Sequence, residues 1–511
     1  MEVDTATGQM APSSFKLLIS IIRGSLPMIF VQCALQLVII LTVMRLGRES
    51  AEWLAGASLG ALVYNICGLM LAMAPSLAME SVAPQAWGAG QPAEVGLAAQ
   101  RSVVVAFLFL TPAASLWMFA SPVLQALGQP SGVAELAAAF LQAAVASLPA
   151  SVVFEATRKF LYSQAVSAPP LYAAAAGLLL LPLYQELLVG AFGFVGGPLA
   201  MVATQATMCA VLLAFCATRQ PHAPETWPGV QPRLLLRERR AARRFLGLSF
   251  AALLSLSEWL FWEFVTFRVG WFGSLALAVH GTAYSLLPLL YMVPMGLTIG
   301  LTNGVGQKLG AGAVGDAKRL AALTMSLGLG VIGALSLVTY LCRFAVFGMY
   351  TSDEDVVEGA DAIWPWLCLD LMFDNSFAML SGLNRGLGLQ RRSALCIVLC
   401  LWPLGVPLIV FGAHSVGDVW RLMPAIYLTL DLSQIACFTS VRWARLAETI
   451  QMEASLASGE ASSSSASSSA HSSLTSSSGL PVAPSDSDTP TISSTAAAPR
   501  PDLDVRVRAC A

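Results

Sequence analysis

Carboxylates stand inside segments of this chain that are otherwise apolar. Glu258 and Glu263 lie in LSLSEWLFWEFVTF, and Asp374 lies in WLCLDLMFDNSFAML. An ionisable group at the centre of a bilayer costs about 2.5–3.5 kcal/mol on insertion scales, so an acidic residue in such a segment marks a candidate functional site. Carboxylates that are removed from water also bind protons more readily, especially beside a second carboxylate. The chemistry indicated is the reversible uptake of a proton or a cation within a membrane.

Composition places these acids in a membrane protein. The 511 residues are 56% hydrophobic and only 11% charged, and the mean hydropathy is +0.70. Such a chain has too little polar surface for a soluble globule of this length, so it is predicted to cross the membrane many times. We predict no zinc or redox site and no cofactor, because the four histidines show no ligand spacing and seven of the cysteines lie in apolar stretches without CxxC spacing. Those seven are Cys33, Cys67, Cys209, Cys216, Cys396, Cys400 and Cys437.

Apolar runs of about 20 residues predict twelve membrane-spanning helices and therefore an all-α membrane protein. The first run begins near residue 17 and is too long for the core of a signal peptide, so no cleaved leader is expected. The predicted spans are 17–44, 54–79, 102–127, 133–157, 166–190, 193–217, 245–267, 278–301, 320–347, 363–387, 393–413 and 418–441.

The distribution of basic residues predicts the orientation. When successive loops are assigned alternately to the two sides, twenty Lys and Arg fall on one side and five on the other. The positive-inside rule then places both termini in the cytoplasm. The chain is expected to be an integral, multi-pass protein of the plasma membrane or of a vacuolar or other internal membrane.

Changes in composition divide the chain into five parts. We predict a cytoplasmic N-terminus at 1–16, an N-lobe at 17–218, a basic cytoplasmic linker at 219–244, a C-lobe at 245–446 and a disordered, Ser-rich cytoplasmic tail at 447–511. The linker contains RERRAARR, which would also suit a nucleic acid. A cytoplasmic segment next to anionic lipid head groups is the favoured interpretation, so lipids and not nucleic acid are the expected partners.

The two halves repeat each other. QAWGAGQPAEVGLAA begins at Gln85 and QKLGAGAVGDAKRLA begins at Gln307, 222 residues later, and each follows the second predicted span of its half. More weakly, KFLYSQ at 159–164 matches RGLGLQ at 385–390. Similar offsets at two places indicate duplication of a six-helix unit, and repeats of this kind commonly place a substrate path at their interface.

Several motifs, taken in order, resemble those of a known family. They are Asn65 with Gly68, AMES at 78–81, QAWGA at 85–89, the E-W-x-x-x-E pattern from Glu258 to Glu263, the segment from Pro294 to Gly312, and the run from Ser381 to Gln390 after Asp374. Together they resemble the multidrug and toxic compound extrusion (MATE) family, in particular its eukaryotic members, over about residues 15–450.

The resemblance implies two six-helix lobes that work by alternating access. It also implies the export of an organic solute, cationic or amphipathic, in exchange for protons, with Na⁺ as the alternative coupling ion and a monomer as the expected state. In the family, acidic residues matching Glu258 and Asp374 line the cavity of the second lobe. Glu258 and Glu263 are about 140° apart on a helix. We therefore expect that they do not share one face and that Glu258 faces the cavity, with Glu263 as a further candidate for coupling and for the cavity.

Further residues are candidates for the cavity, and each has a structural alternative. Glu80 matches an acidic position of the family but is close to a helix end, where an interfacial role is as reasonable as gating. Asn65 suits a cross-helix hydrogen bond. Trp259, Trp262 and Tyr291 suit a flat cation by cation–π contact, or packing alone. Glu258 and Asp374 themselves have the alternative of structural pairing with Asn384, with Arg385 or with a backbone carbonyl.

Two other classes of protein compete with an antiporter. A lipid-linked oligosaccharide flippase of the same superfamily would have a similar number of helices, but a set of arginines in place of the acids would be expected in its cavity. A membrane-embedded enzyme would need a nucleophile or a metal cluster, and neither is evident. The chain also lacks the GxxxxGK[ST] motif of ATP-driven transporters. The sequence therefore favours a non-enzymatic secondary transporter.

Overall fold

The computed structural model describes residues 14–227, 229–231, 239–350 and 353–456. Over these residues the chain forms helices and no strand. Twelve long helical segments, some of them interrupted by a turn, are called rods here. The N-terminal half contains α1 Ser14–Gly47, α2 Ala51–Gly88, α3 Pro92–Trp117, α4 Ser131–Tyr162, α5 Ala168–Phe192 and α6 Gly196–Arg219. The C-terminal half contains α7 Arg239–Gly270, α8 Ser274–Gly310, α9 Val314–Leu341, α10 Glu354–Gly386, α11 Gln390–Gly412 and α12 Val416–Thr439.

Length and hydropathy explain why these rods cross a membrane. Among the described residues, ten helical stretches are long and apolar enough to do so, and one of them, Ala168–Arg219, holds both α5 and α6. The tenth rod, α10, is not among the ten stretches, although at 33 residues it is long enough. Its sequence EDVVEGADAIWPWLCLDLMFDNSF is rich in acids. The prediction of an all-α membrane protein is confirmed, and Asp374 lies on this acid-rich rod.

Each half has its own apolar core. One cluster of buried side chains is drawn from α1 to α6, with Phe245 and Leu248 of α7, and a second is drawn from α7, α8 and α10 to α12. The halves meet where α1 packs on α8 and where α2 packs on α7. In the first contact a Cβ on Gly296 would lie 2.6 Å from the backbone of Ile29, and in the second Ala74 and Leu77 pack against Ala252.

Five of the described rods are interrupted along their length. Two π-helical turns, Asn65–Leu69 and Cys400–Gly405, interrupt α2 and α11, and a 3₁₀ turn at Val145–Ser147 interrupts α4. The helix also breaks between Ser255 and Ser257 in α7 and between Tyr284 and Leu287 in α8. Irregular turns inside helices often mark functional sites, because they release backbone groups and redirect side chains.

The structure corrects three predicted boundaries. The linker is shorter than 219–244, because Arg239 already begins α7. The predicted third span, 102–127, is α3 followed by a separate short helix, Ala120–Ala126. The predicted tail does not begin at 447, because residues 443–456 form one more helix whose Trp443 and Ala447 are buried. These two side chains join an apolar cluster with α8, α9 and α10, and packed apolar groups are what keeps this segment helical. Residues 457–511 lie outside the described residues.

Candidate functional site

A cavity of about 320 Å³ lies between the two halves. Its size suits a small organic molecule. The interrupted segments supply much of its lining, since Asn65 opens the π-helical turn of α2, Glu258 follows the break in α7 and Tyr284 precedes the break in α8. Residues of both repeats therefore face one space, as expected for a substrate path at the interface of a duplication.

The wall formed by the C-terminal half is acidic. Glu258 and Asp374 both line the cavity and are both nearly fully buried. The Tyr427 hydroxyl donates a 2.7 Å hydrogen bond to Glu258 Oε1, and Asp374 Oδ1 has no hydrogen-bond partner. One turn before Asp374 on α10, Asp370 is fully buried and neither of its carboxylate oxygens has a partner. Among the described residues no Lys or Arg forms an ion pair with any of these three acids, so this wall favours a positive charge or a proton.

Glu263 also lines the cavity and accepts a 3.2 Å hydrogen bond from the Tyr284 hydroxyl. Glu258 and Glu263 therefore line the same cavity, although an ideal helix separates them by about 140°. Both residues follow the break in α7, and the cavity is wide enough to reach two sides of that helix. Behind Glu263, Trp262 stacks on Tyr284 at 5.6 Å between ring centroids and lies 6.0 Å from Tyr427. These rings shield the carboxylates from bulk water.

The wall formed by the N-terminal half is polar, but unlike the acidic wall its charged groups are paired. Arg158 is fully buried and makes two 2.7 Å hydrogen bonds to the carboxylate of Glu155, so the two charges compensate one another. Gln32 and Gln205 line the same wall, and the side-chain oxygen of each is buried without a partner. A substrate would therefore find free hydrogen-bond acceptors on this wall and net negative charge on the opposite one.

Below the cavity, charged residues join the two halves. The Glu80 carboxylate of α2 pairs with Lys159 of α4 through one oxygen and with Arg385 of α10, at 3.2 Å, through the other. All three side chains are buried. A small space of about 40 Å³, lined by Glu258 and Arg385 among others, separates this ion cluster from the main cavity. Glu80 thus lies outside the cavity, in a position that links the halves.

The two repeated motifs meet at the ends of α2 and α8. A Cβ on Gly88 would lie 2.0 Å from the Gln307 carbonyl oxygen, and a Cβ on Gly310 would lie 2.2 Å from the Gln85 carbonyl oxygen. The Gln85 side chain donates to Gly386 O at 2.9 Å, and the Gln307 side chain donates to Ser163 O at 2.9 Å. The contact is nearly symmetric because it is built from the duplicated sequence, and it joins the two halves at the predicted cytoplasmic ends of α2 and α8.

Most of the residues proposed from sequence share the cavity. Glu258, Asp374, Glu263, Asn65, Trp259, Trp262 and Tyr291 all line it. Glu80 does not. Two of the structural partners considered for the acids are engaged elsewhere, because Arg385 pairs with Glu80 and the Asn384 side chain donates to Gln434.

Sequence reasoning missed three polar residues of the C-terminal half. Tyr284 and Tyr427 are the hydroxyl donors to the cavity glutamates, while Asp431 is a buried acid in α12. Asp431 carried the same signal as Asp374, because it is an acid within the apolar run PAIYLTLDLSQ. The tyrosines carried no such signal, because an aromatic residue is ordinary in a membrane helix.

The fold and the cavity together define a class of protein. In the described part of the chain, twelve long helices in two repeated halves, with an acid-lined cavity at their interface, form an architecture that is common among membrane transporters. The MatE family model matches residues 27–184 and 251–411, one segment in each half. The chain belongs to the MatE family and is a transporter of the MATE type.

Curated relatives share this assignment. An uncharacterized transporter of Schizosaccharomyces pombe is 26% identical over 420 residues, which cover 80% of this chain and 77% of that protein. Multidrug and toxin extrusion protein 1 of Oryctolagus cuniculus is 24% identical over 428 residues, which cover 82% and 74%. The human protein of the same name is 23% identical over 441 residues, which cover 84% and 76%.

Solved structures share the fold. The crystal structure of the eukaryotic MATE transporter AtDTX14 matches with a TM-score of 0.79 at 20% identity, covering 86% of this chain and 99% of that one. The Vibrio cholerae MATE transporter VcmN in its bent form matches with a TM-score of 0.71 at 18% identity, covering 86% and 99%. The prediction of a multi-pass membrane protein of the MATE family is confirmed.

Proposed function

We propose that this transporter is a secondary antiporter that exports organic cations or cationic amphipathic solutes in exchange for protons. The observation that carries the proposal is the acidic wall of the cavity, where Glu258, Glu263 and Asp374 face the same space and no basic side chain of the described residues pairs with them. An uncompensated carboxylate in a dry site is costly, and either a proton or a bound cation removes that cost.

Competition for the same carboxylates supplies the coupling. If Glu258 and Asp374 are neutral when protonated and ionised when a cation is bound, the two ligands exclude one another. By thermodynamic reciprocity, each ligand lowers the affinity for the other by the same factor. A gradient of one pH unit is worth about 1.4 kcal/mol per proton, which supports a tenfold solute gradient for each exchanged proton.

The rest of the lining supports an organic solute. The aromatic side chains Trp259, Trp262, Tyr284 and Tyr291 offer flat faces that attract a delocalised or quaternary cation at short range. The opposite wall offers the unpartnered amide oxygens of Gln32 and Gln205 as hydrogen-bond acceptors. Such a lining recognises positive charge and flat apolar area and sets few other demands on shape, which suits a broad range of solutes.

The experiment is gradient-driven transport by the purified full chain in liposomes, with radiolabelled tetraethylammonium as the probe. We expect a pH gradient, and not a Na⁺ gradient, to drive its accumulation. Asp374→Asn keeps the size of the side chain but cannot titrate, so it should abolish gradient-driven uptake and retain binding. Glu258→Gln should behave in the same way, and the double variant should be little worse than either single one, because the groups act as a unit.

Asp316→Asn is the matched control, because Asp316 is half exposed at the start of α9 and only its 3.6 Å pair with Lys308 is lost. It should transport at the parent rate. If a Na⁺ gradient alone drives uptake, the coupling ion is Na⁺ and not the proton. Unchanged uptake by Asp374→Asn under a pH gradient would overturn the assignment of the carboxylates, and transport of a lipid-linked sugar without any ion gradient would favour a flippase.

A further inference from the structure

Asp431 is a buried acid of α12 that the proposed exchange does not yet use. It lies four residues after Tyr427, about 6 Å further along the helix, and Tyr427 is the residue that bonds Glu258. Its side chain is 6% exposed. The Oδ2 atom is hydrogen-bonded to the Ser376 hydroxyl, and the Oδ1 atom has no partner. No Lys or Arg of the described residues forms an ion pair with Asp431.

The hydrogen bonds of Ser376 indicate the protonation state of Asp431. The Ser376 oxygen lies 3.0 Å from the carbonyl oxygen of Phe373 and also contacts Asp431 Oδ2. A serine hydroxyl has a single hydrogen, so it donates to only one of these two acceptors. Each contact is a separate two-centre hydrogen bond when Asp431 carries a proton and donates it to Ser376, whose own hydrogen then goes to Phe373 O. The hydrogen bonding of Ser376 therefore favours a neutral Asp431.

The surroundings connect Asp431 in two directions. Toward the cavity, Ser376 is two residues from Asp374 on α10, and Tyr427 leads to Glu258. Toward the other end of α12, Gln434 accepts hydrogen bonds from the Asn384 side chain at 2.9 Å and from the Ser393 hydroxyl at 2.6 Å. Gln434 is fully buried, and Asn384 Oδ1 has no partner. Polar groups therefore occur at intervals along α10 and α12, from the acidic wall to the start of α11 on the predicted cytoplasmic side.

We propose that Asp431 is a second proton-binding site, which holds a proton while the transporter is closed toward the cytoplasm and passes protons between Asp374 and the cytoplasmic side. This inference rests on the proposed antiport. When a cation enters the cavity, the O–H bond of Asp431 breaks and its proton leaves along the polar groups near Gln434. The O–H bond of Asp374 then breaks and a new one forms on Asp431. One proton moves at each step, and no electron is transferred.

The observations favour a proton path over simple packing. A structural aspartate in a membrane core normally has its acceptors filled, because an unsatisfied polar atom there is expensive. Here one oxygen of Asp431, one of Asp374 and one of Asn384 are all buried without a partner in the described part of the chain. Three such atoms along a single route are what a path used by hydrated protons requires, whereas an apolar side chain of similar size would serve packing better.

The test uses the full chain in liposomes that contain a pH-sensitive dye, with tetraethylammonium as the probe. Two rates are compared, namely uptake driven by a pH gradient and exchange of labelled for unlabelled probe at equal pH. For Asp431→Asn we expect a fall of about tenfold or more in gradient-driven uptake and in the coupled proton flux. Probe exchange should stay within about twofold of the parent rate, because the cavity lining is unchanged.

The Asp431→Glu variant distinguishes a role of Asp431 in proton binding from a role in packing. Asn has the shape of Asp but does not titrate, while Glu titrates but is one methylene longer. If Asp431 binds a proton, the Glu variant should recover most of the coupled uptake that the Asn variant loses. A purely structural role predicts the reverse order. Ser376→Ala leaves the carboxylate in place and removes its hydrogen-bond partner, so it should lower coupled uptake relative to the parent while probe exchange stays unchanged. This variant tests the site even if Asp431→Asn folds poorly.

The outcomes are distinct from those of the proposed antiport. If Asp431→Asn transports at the parent rate while Asp374→Asn does not, the second proton site is refuted and the antiport proposal stands. Equal losses of uptake and exchange, with no recovery by Asp431→Glu, would also refute it and make Asp431 a packing residue. Parent-like transport by Asp374→Asn would instead contradict the antiport itself.

Discussion

The contact between Gly88 and Gly310 is the sharpest place to test how the cavity closes. These glycines occupy equivalent positions in the two repeats, and each faces the other helix's backbone. A transporter that alternates between two states must break this contact whenever it opens toward the cytoplasm. A side chain at either position should therefore destabilise the closed state specifically and leave the fold of each half intact.

The magnitude follows from the geometry. A Cβ on Gly88 would lie 2.0 Å from Gln307 O and 3.0 Å from Ala311 N, and both of these are backbone atoms that cannot rotate away. The helix ends would have to separate by roughly 1 Å, and overpacking of this kind costs about 1–3 kcal/mol. Since 1.4 kcal/mol is a factor of ten, Gly88→Ala should shift the equilibrium between the two states by about 5- to 150-fold toward the cytoplasm-open state.

Hydrogen–deuterium exchange, followed by mass spectrometry, measures this shift without a probe attached to the protein. Peptides covering 85–92 and 307–314 should exchange faster in Gly88→Ala and in Gly310→Ala than in the parent. The double variant should add little, because both substitutions open one contact. Gly315→Ala is the matched control, since Gly315 is also a helical glycine on this side and a Cβ there meets no atom within 4 Å. Its exchange should equal that of the parent.

If Gly88→Ala shows the same hydrogen exchange and the same transport rate as Gly315→Ala, the predicted shift toward the cytoplasm-open state is refuted. In that case the helix ends do not pack this closely in the membrane, or the contact does not differ between the two states. Lower thermal stability of the whole protein, without a local change in exchange at 85–92 and 307–314, would also contradict it. That result would mean that the glycines serve the fold and not the gate.

Two further changes address the same end of the molecule. Glu80→Gln leaves Lys159 and Arg385 as buried cations without their shared carboxylate, so it should cost about 3–5 kcal/mol in the closed state and reduce tetraethylammonium uptake; parent-like uptake would show that the ion cluster contributes nothing to closure. Deleting 457–511 should leave transport per folded molecule unchanged, whereas deleting 443–511 also removes the buried Trp443 and should lower the melting temperature by several degrees. Equal melting temperatures for the two truncations would contradict the packing of this last helix.

Much of the fold could be predicted because a bilayer leaves few choices. Backbone groups in hydrocarbon must bond within a helix, so apolar runs of the right length identify spans directly. Boundaries were less accurate for a physical reason. The helix at 443–456 is amphipathic and is held by contacts with distant partners, including a 2.8 Å hydrogen bond from the Gln91 side chain to Ala454 O. Composition alone gave no sign of those contacts.

The candidate site shows the same division. The acids Glu258, Glu263 and Asp374 could be found because an acid in an apolar run is conspicuous. An ideal helix places Glu258 and Glu263 about 140° apart, and it is the width of the cavity that brings both of them to one space. Similarly, Glu80 was recognisable as an intramembrane acid, but its two basic partners come from α4 and α10.

The sequence by itself determined the membrane setting, the helical class, the duplication and the identity of most ionisable groups, since each of these follows from local hydropathy or from self-similarity. Only the tertiary structure decided which groups meet. It brought Tyr427 to Glu258, separated by 169 residues, placed Ser376 against Asp431, and turned the repeated Gln85 and Gln307 motifs into one closing contact. Pairing of this kind depends on how the helices pack and where they break. A short stretch of sequence does not reveal which distant residue each side chain will meet.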